Sequence, residues 1–190
     1  MISPIIPYLH LLRAITKEEG ELIASSFEQK SFKEGEYLLH EGRVCHEQFF
    51  ICKGILRIVS VNDKAVERTH YFFKENQFCT ILQSFEEQTP SVAGIQAACD
   101  VTVLVITKTR LNALYQELPY MKEVMDQIKQ QRMIEKINIR NLYIGEDAES
   151  QYKLFIMQQP DIALRVPLKD IASYLGITPQ SLSRIRKNIR

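Results

Sequence analysis

The last twenty-three residues, Leu168 to Arg190, constrain the chain most. Leu168, Ile171, Ala172 and Leu175 fall in one stripe at helical spacing, and Gly176 stands where a helix needs a left-handed C-cap residue. Thr178 then offers an N-cap oxygen, and Pro179 takes the first helical position, where its fixed φ helps and its missing N–H costs nothing. The pattern predicts two short helices joined by a tight turn. Ala172 is small enough to let them cross closely, and Ile177 plugs the angle between them.

The second helix is two-sided. Leu182, Ile185 and Ile189 cluster on one face, while Gln180, Arg184 and Lys187 lie within about 60° of one another on the other. From Gly176 onward there are four cations, Arg184, Arg186, Lys187 and Arg190, and no acidic residue, although the whole chain carries a formal charge of +1. The positive charge is local. Gln and Arg side chains pair bidentately with adenine and guanine edges in a major groove, whereas Thr178, Ser181, Ser183 and Lys187 suit phosphates or mixed roles. The pattern is that of a DNA-binding helix-turn-helix; the plainer alternative is an amphipathic hairpin with a solvated polar face.

The chain has 190 residues, 45% of them apolar and 25% charged, which suits a soluble globular protein with one large domain or a medium and a small one. Cys45, Cys52, Cys79 and Cys99 show no CxxC spacing and sit in apolar or strand-like runs, so they read as buried free thiols in a reducing compartment. The opening MISPIIPYLHLL lacks a basic segment and is broken by two prolines, and no apolar run reaches membrane-spanning length. A cytoplasmic location without membrane attachment is expected.

Thr16-Lys17-Glu18-Glu19 has capping-box spacing ahead of an apolar stripe of Leu22, Ile23 and Phe27, predicting a helix over 16–27. From Phe32 to Thr107 the period changes. Runs rich in aromatic and β-branched residues, at 47–52, 55–61, 66–73, 92–97 and 101–106, alternate with turn signals such as Glu41-Gly42, Lys53-Gly54 and Asn62-Asp63. So many short strands without interleaved helices predict an antiparallel barrel or roll that hides its edges.

A short helix is expected from Thr109 and a longer one, of about 25 residues, from Pro119. Met121, Val124, Met125 and Ile128 form an apolar stripe on it, continued by Met133, Ile134, Ile137 and Leu142. Such a stripe can cover the barrel or pair with its copy in a second subunit, and its length favours pairing, with the first four residues as the dimer interface. Gly145-Glu146-Asp147 breaks the helix, and a further one is expected from Ala148 to about Gln158.

This order of short helix, β-roll, long helix and helix-turn-helix resembles the superfamily of the cyclic-AMP receptor protein and the fumarate-nitrate regulator (CRP/FNR), over essentially the whole chain. The stretches that carry the likeness are Phe32 to Leu38 leading to Glu41-Gly42, Phe49 to Arg57, and Ile171-Ala172 through Arg184. The resemblance implies an α+β fold: an N-terminal β-roll related to cyclic-nucleotide-binding domains over 1–118, a dimerisation helix over 119–144, and a winged-helix-type helix-turn-helix over 145–190. It further implies a non-enzymatic, homodimeric transcription regulator that binds double-stranded DNA at a near-palindromic site and works with RNA polymerase, its pocket for an unknown small-molecule effector being altered or vestigial. By position, Gln180, Ser181 and Arg184 match the family's base- and backbone-contacting places, while Pro179 departs from the polar or basic residue common there.

The ligand-binding half departs further. Cyclic-nucleotide binders carry a Gly-Glu pair that holds the ribose and an Arg-Ser pair that neutralises the phosphate. Here the matching segments, 78–84 and 86–92, have neither, and a buried phosphate beside Glu86 and Glu87 would go uncompensated unless Arg57 or Arg68 took over. The expectation is therefore a pocket that does not bind cyclic AMP. Neither an N-terminal cysteine cluster nor an HxH metal motif is present, and no cofactor is expected. The competing reading is a cupin-type barrel enzyme with an incidental hairpin, for which His40, His46 and Glu47 are the residues near enough in sequence to hold a metal.

Overall fold

The structure, a computed structural model, describes residues 3–62, 64 and 66–189. Two helices open the chain, α1 (Ile5–His10) and α2 (Lys17–Ser25). The capping box at α2 is present in full: Thr16 Oγ1 accepts from the Glu19 N–H, and the Glu19 carboxylate accepts from the Thr16 N–H at 2.7 Å. The helix α1 has no counterpart in the sequence pattern. Its prolines fall at Pro4, the N-cap, and Pro7, within the first turn, where no intrahelical N–H bond is lost.

Eight strands come next: β1 (Glu28–Phe32), β2 (Tyr37–Leu39), β3 (Glu47–Lys53), β4 (Leu56–Val61), β5 (Glu67–Phe73), β6 (Phe78–Cys79), β7 (Gly94–Ala97) and β8 (Val101–Thr107), with a short helix α3 (Leu82–Glu87) between β6 and β7. They form two antiparallel four-stranded sheets, ordered β1-β8-β3-β6 and β2-β7-β4-β5. This is the expected roll. The strand β8 shows how it closes: Val101, Val103 and Val105 point between the sheets, while Leu104 and Ile106 point outward into a second core under the flanking helices. Both faces of β8 are thus buried. Gly54 makes the β3–β4 turn at φ +99°, and a Cβ there would lie 2.7 Å from the Val101 Cα, so the close approach requires glycine.

After β8 come α4 (Lys108–Glu117), α5 (Tyr120–Tyr143), α6 (Ala148–Gln158), α7 (Pro160–Arg165), α8 (Leu168–Leu175) and α9 (Pro179–Ile189). At 24 residues, α5 has the anticipated length. Its first turns, however, are not free to pair with another subunit. Met121, Val124, Met125 and Ile128 are 2–7% exposed, packed with Leu111, Leu114, Phe85 and Phe50 of their own chain. The residues expected to form the dimer interface are thus buried within their own chain: helical period marks a stripe and not what covers it, and here α3, α4 and the outer face of the roll lie over its first half. The apolar side chains that α5 leaves about half exposed are Met133, Ile134, Ile137 and Leu142.

Among the described residues no strand follows β8, so the expected wing has no counterpart there; the helical pattern of 145–189 leaves no β-run to build one. No helix among them is long and apolar enough to cross a membrane.

Candidate nucleic-acid interface and effector cavity

The turn between α8 and α9 is built as the sequence requires. Gly176 is left-handed at φ +70°, the Ile177 N–H reaches back to the Ala172 carbonyl at 3.0 Å, and the end of α8 is closed by a Schellman-type pattern. Thr178 caps α9, accepting from the Ser181 N–H at 3.1 Å. Ile171, Ala172 and Leu182 are buried together with Phe155, Ile162 and Val166, and Ile177, Ile185 and Ile189 pack against them. This apolar wedge sets the crossing of the two helices. The opposite face of α9 is turned outward: Gln180, Arg184, Arg186 and Lys187 are exposed, as is Thr178, while Ser181 and Ser183 are half-buried. Arg190, expected beside them, lies outside the described residues.

The helix-turn-helix does not hang free from α5. Its core is shared with the roll, because Ile55, Phe72 and Ala98 belong to the same buried cluster. Ser173 of α8 accepts from the Thr69 N–H at 2.8 Å and donates to the Glu67 carbonyl at 3.0 Å, so it satisfies backbone groups of the edge strand β5. Asp170 reaches Arg57 of β4 at 3.1 Å, both side chains being almost wholly buried. Burial pushes the Asp170 carboxyl up, and Arg57 acts against that shift. Further out, Arg165 of α7 holds Glu75 through two bonds of 2.6 and 3.0 Å. Burial would raise the Glu75 carboxyl, but the bonds from Arg165 and from the Gly54 N–H outweigh it and bring it to about 2. Arg57 therefore serves the contact with α8, and because it is absent from the lining of the roll's cavity it does not stand there as a phosphate partner.

That cavity, of about 440 Å³, lies between the roll and α5. Its walls include Ile58, Phe73, Phe78 and Ile81 from the roll and Met125 and Ile128 from α5, with Lys129, Arg132 and Lys136 along the helix side. A neighbouring space of about 460 Å³ shares His70, Tyr71 and Lys136 with it and extends to Tyr143, Tyr174 and Leu175, beside the helix-turn-helix. Burial raises the Tyr71 hydroxyl to about 12 and, together with Arg68 and Lys136, holds the His70 imidazole below its usual range. As a set, these walls are not legible in the sequence, since they come from strands and helices far apart in the chain; the one local signal is the run of cations at helical spacing on α5.

The segment that replaces a phosphate cassette is occupied by the protein's own bonds. Ser84 donates to the Thr89 carbonyl and accepts from the Cys45 N–H, and Lys108 donates to the Phe85 and Glu86 carbonyls at the end of α3. The candidate metal residues part company: His40 stacks on Tyr37, His46 bonds Gln88, and Glu47 pairs with Lys30. Among the described residues no group of three or more His, Cys, Asp or Glu is close enough to hold a metal ion. All four cysteines are free, Cys45 and Cys79 buried and Cys52 and Cys99 half-buried.

Residues 29–117 match the cyclic nucleotide-binding domain family. Among solved structures the chain is similar to FixK2 from Bradyrhizobium japonicum, at 14% identity over 86% of this chain and 84% of that one, with a TM-score of 0.73. It is similar to a CooA mutant from Carboxydothermus hydrogenoformans at 19% identity, covering 95% of this chain and 83% of that one, TM-score 0.67. A transcriptional regulator of the crp/fnr family from Eubacterium rectale aligns at 16% identity over 96% of this chain and 87% of that one, TM-score 0.70. No curated protein sequence matches the chain. Roll, long helix and helix-turn-helix together define the class by fold: a cyclic nucleotide-binding-type domain followed by a long helix and a helix-turn-helix. Within that class, the chain carries a cyclic nucleotide-binding-type domain in the architecture of the CRP/FNR regulators.

Proposed function

We propose that this protein is a sequence-specific DNA-binding transcription regulator that acts as a homodimer on a near-palindromic site. The observation that carries the reading is the outward face of α9, where Gln180, Arg184 and Lys187 stand exposed on a helix whose other face is fixed by Leu182, Ile185 and Ile189. A helix presenting bidentate donors and phosphate partners, without a nearby carboxylate on its own length, suits insertion in a major groove. The exposed stripe of Met133, Ile134 and Ile137 supplies the apolar surface for pairing of α5 with its copy. A cytoplasmic location, contact with RNA polymerase and the absence of enzymatic activity belong to the same reading.

The effector of this regulator is not cyclic AMP in our reading, because no arginine stands at the cassette and its polar groups are already paired. The barrel-enzyme alternative loses its support with the separation of His40, His46 and Glu47. Selection of bound sequences from random DNA tests the proposal. It should return an inverted repeat whose half-sites lie roughly 34 Å, one helical turn, apart. Recovery of unenriched DNA would overturn the proposal.

A further inference from the structure

We infer that the cavity between the β-roll and α5 receives a small amphipathic acid: an anionic group at Lys136, an apolar body, and a hydroxyl or N–H that donates to Gln48. This rests on the reading of the protein as a ligand-responsive regulator and specifies the chemistry of its ligand.

The charge of the lining comes first. Lys129, Arg132 and Lys136 border the cavity, and among the described residues no Asp or Glu does. The three are not equivalent. Lys129 is held by Glu86 at 2.8 Å and Asp126 at 3.5 Å, and Arg132 by Glu135. Lys136 has no ion-pair partner among the described residues; its ammonium sits 5.6 Å from the centre of the Tyr71 ring. It is the uncommitted cation, and charge-assisted bonds to a carboxylate are the strong ones available to it. Lys136 also borders the neighbouring space that reaches Tyr174 and Leu175 of α8. An anion there stands where roll, long helix and helix-turn-helix meet.

The walls decide the rest of the ligand. Ile58, Phe73, Phe78, Ile81, Met125 and Ile128 offer an apolar channel, and the volume falls in the range of small-molecule sites. The polar groups that a sugar would need are spent: Ser60 and His70 bond each other at 2.7 Å, and Thr80 donates to the Glu47 carbonyl at 3.1 Å. Tyr71, whose hydroxyl makes no hydrogen bond among the described residues, and Gln48 are the exceptions, and the buried free atom belongs to Gln48. It is 1% exposed and lines the cavity, yet its Oε1 is buried without a hydrogen-bond partner among the described residues. An unmatched buried acceptor is costly unless something supplies a donor. The ligand is thus an acid with a separate hydroxyl or N–H on its apolar part, and a nucleotide fits neither the walls nor the spent polar groups.

Titration calorimetry of the full protein with cinnamate, para-coumarate, dodecanoate, omega-hydroxydodecanoate, their methyl esters and cyclic AMP tests the inference. At least one hydroxylated acid should bind, more tightly than its partner without the hydroxyl and about ten-fold more tightly than its ester. Lys136→Gln should weaken that acid about ten-fold and leave the ester unchanged, Lys136→Arg should retain it, and Gln48→Leu should abolish the advantage of the hydroxyl. Circular dichroism and unchanged ester binding separate these effects from misfolding. Failure of every acid to bind, esters as tight as acids, or cyclic AMP binding in preference would overturn the inference. Operator binding by the same preparation without ligand keeps the two claims apart: DNA recognition with no acid binding removes this inference alone, and acid binding without DNA recognition removes the regulator reading alone.

Discussion

Arg57 of β4 and Asp170 of α8 meet at 3.1 Å in a contact from which water is nearly excluded, their side chains being 2% and 5% exposed. The guanidinium is shared. It also bonds Gln96 and Thr69 at 2.8 and 2.9 Å and pairs with Glu67 at 2.8 Å, so one arginine ties three strands of the roll, β4, β5 and β7, to the helix-turn-helix. A buried ion pair adds little net stability, because desolvation offsets attraction, but removing one partner strands the other.

The two partners should therefore respond unequally to truncation. Arg57→Ala leaves Asp170 and Gln96 buried without their donor and should cost about 3–5 kcal/mol. Asp170→Ala leaves Arg57 with Glu67, Thr69 and Gln96 and should cost about 1–3 kcal/mol. Urea unfolding of both variants checks the order, and equal losses below about 0.5 kcal/mol would show that the pair does not hold the two parts together.

The second tie is pH-sensitive. Glu75 titrates near 2 in the folded protein against an ordinary 4.5, so its folded pKa is depressed. Its contribution is then complete above the ordinary value and declines as pH falls from there towards 2. Thermal melting of the native protein and of Glu75→Gln should differ most at about pH 6, and the difference should shrink as pH falls below 4.5 and close only near pH 2. A constant difference across that range would contradict the role given to the Arg165 contact.

Assembly should depend on the exposed half of α5. Glutamate at both Ile134 and Ile137 should give a folded monomer by light scattering, with a melting transition close to that of the native subunit. Glutamate at Val124, which is 7% exposed against its own roll, should instead cost several kcal/mol and unfold the chain. Persistence of the dimer in the double variant would place the seam elsewhere.

Local chemistry is legible in the sequence and long-range pairing is not. Gly176, Thr178 and Pro179 announce the turn because a left-handed cap, an N-cap and a first-turn proline each need a particular residue at a particular place. The strands β3, β4, β5 and β8 are visible for a similar reason, their β-branched and aromatic runs being long enough to show. By contrast β1, with the polar sequence EQKSF, β2 with three residues and β6 with two carry too little pattern to stand out. The stripe Met121, Val124, Met125 and Ile128 shows that these side chains share a face and cannot show what covers it. Nor does anything near Arg57 in the chain point to Asp170, and Gln48 gains its meaning only when β3 is set against β6 and α5.

The most direct test of the central claim is the response of Arg184 and Lys187 to substitution, read by fluorescence anisotropy on the selected site and on random DNA at several salt concentrations. Arg184→Ala should cost roughly 1–3 kcal/mol on the selected site, relax preference at one base pair in each half-site, and change random binding far less. Lys187→Ala should weaken both DNAs about equally and lower the slope against salt by about one for each phosphate that the variant no longer neutralises. If Arg184→Ala instead weakened both DNAs by the same factor, the outward face of α9 would not be the surface that reads sequence, even with the fold as described.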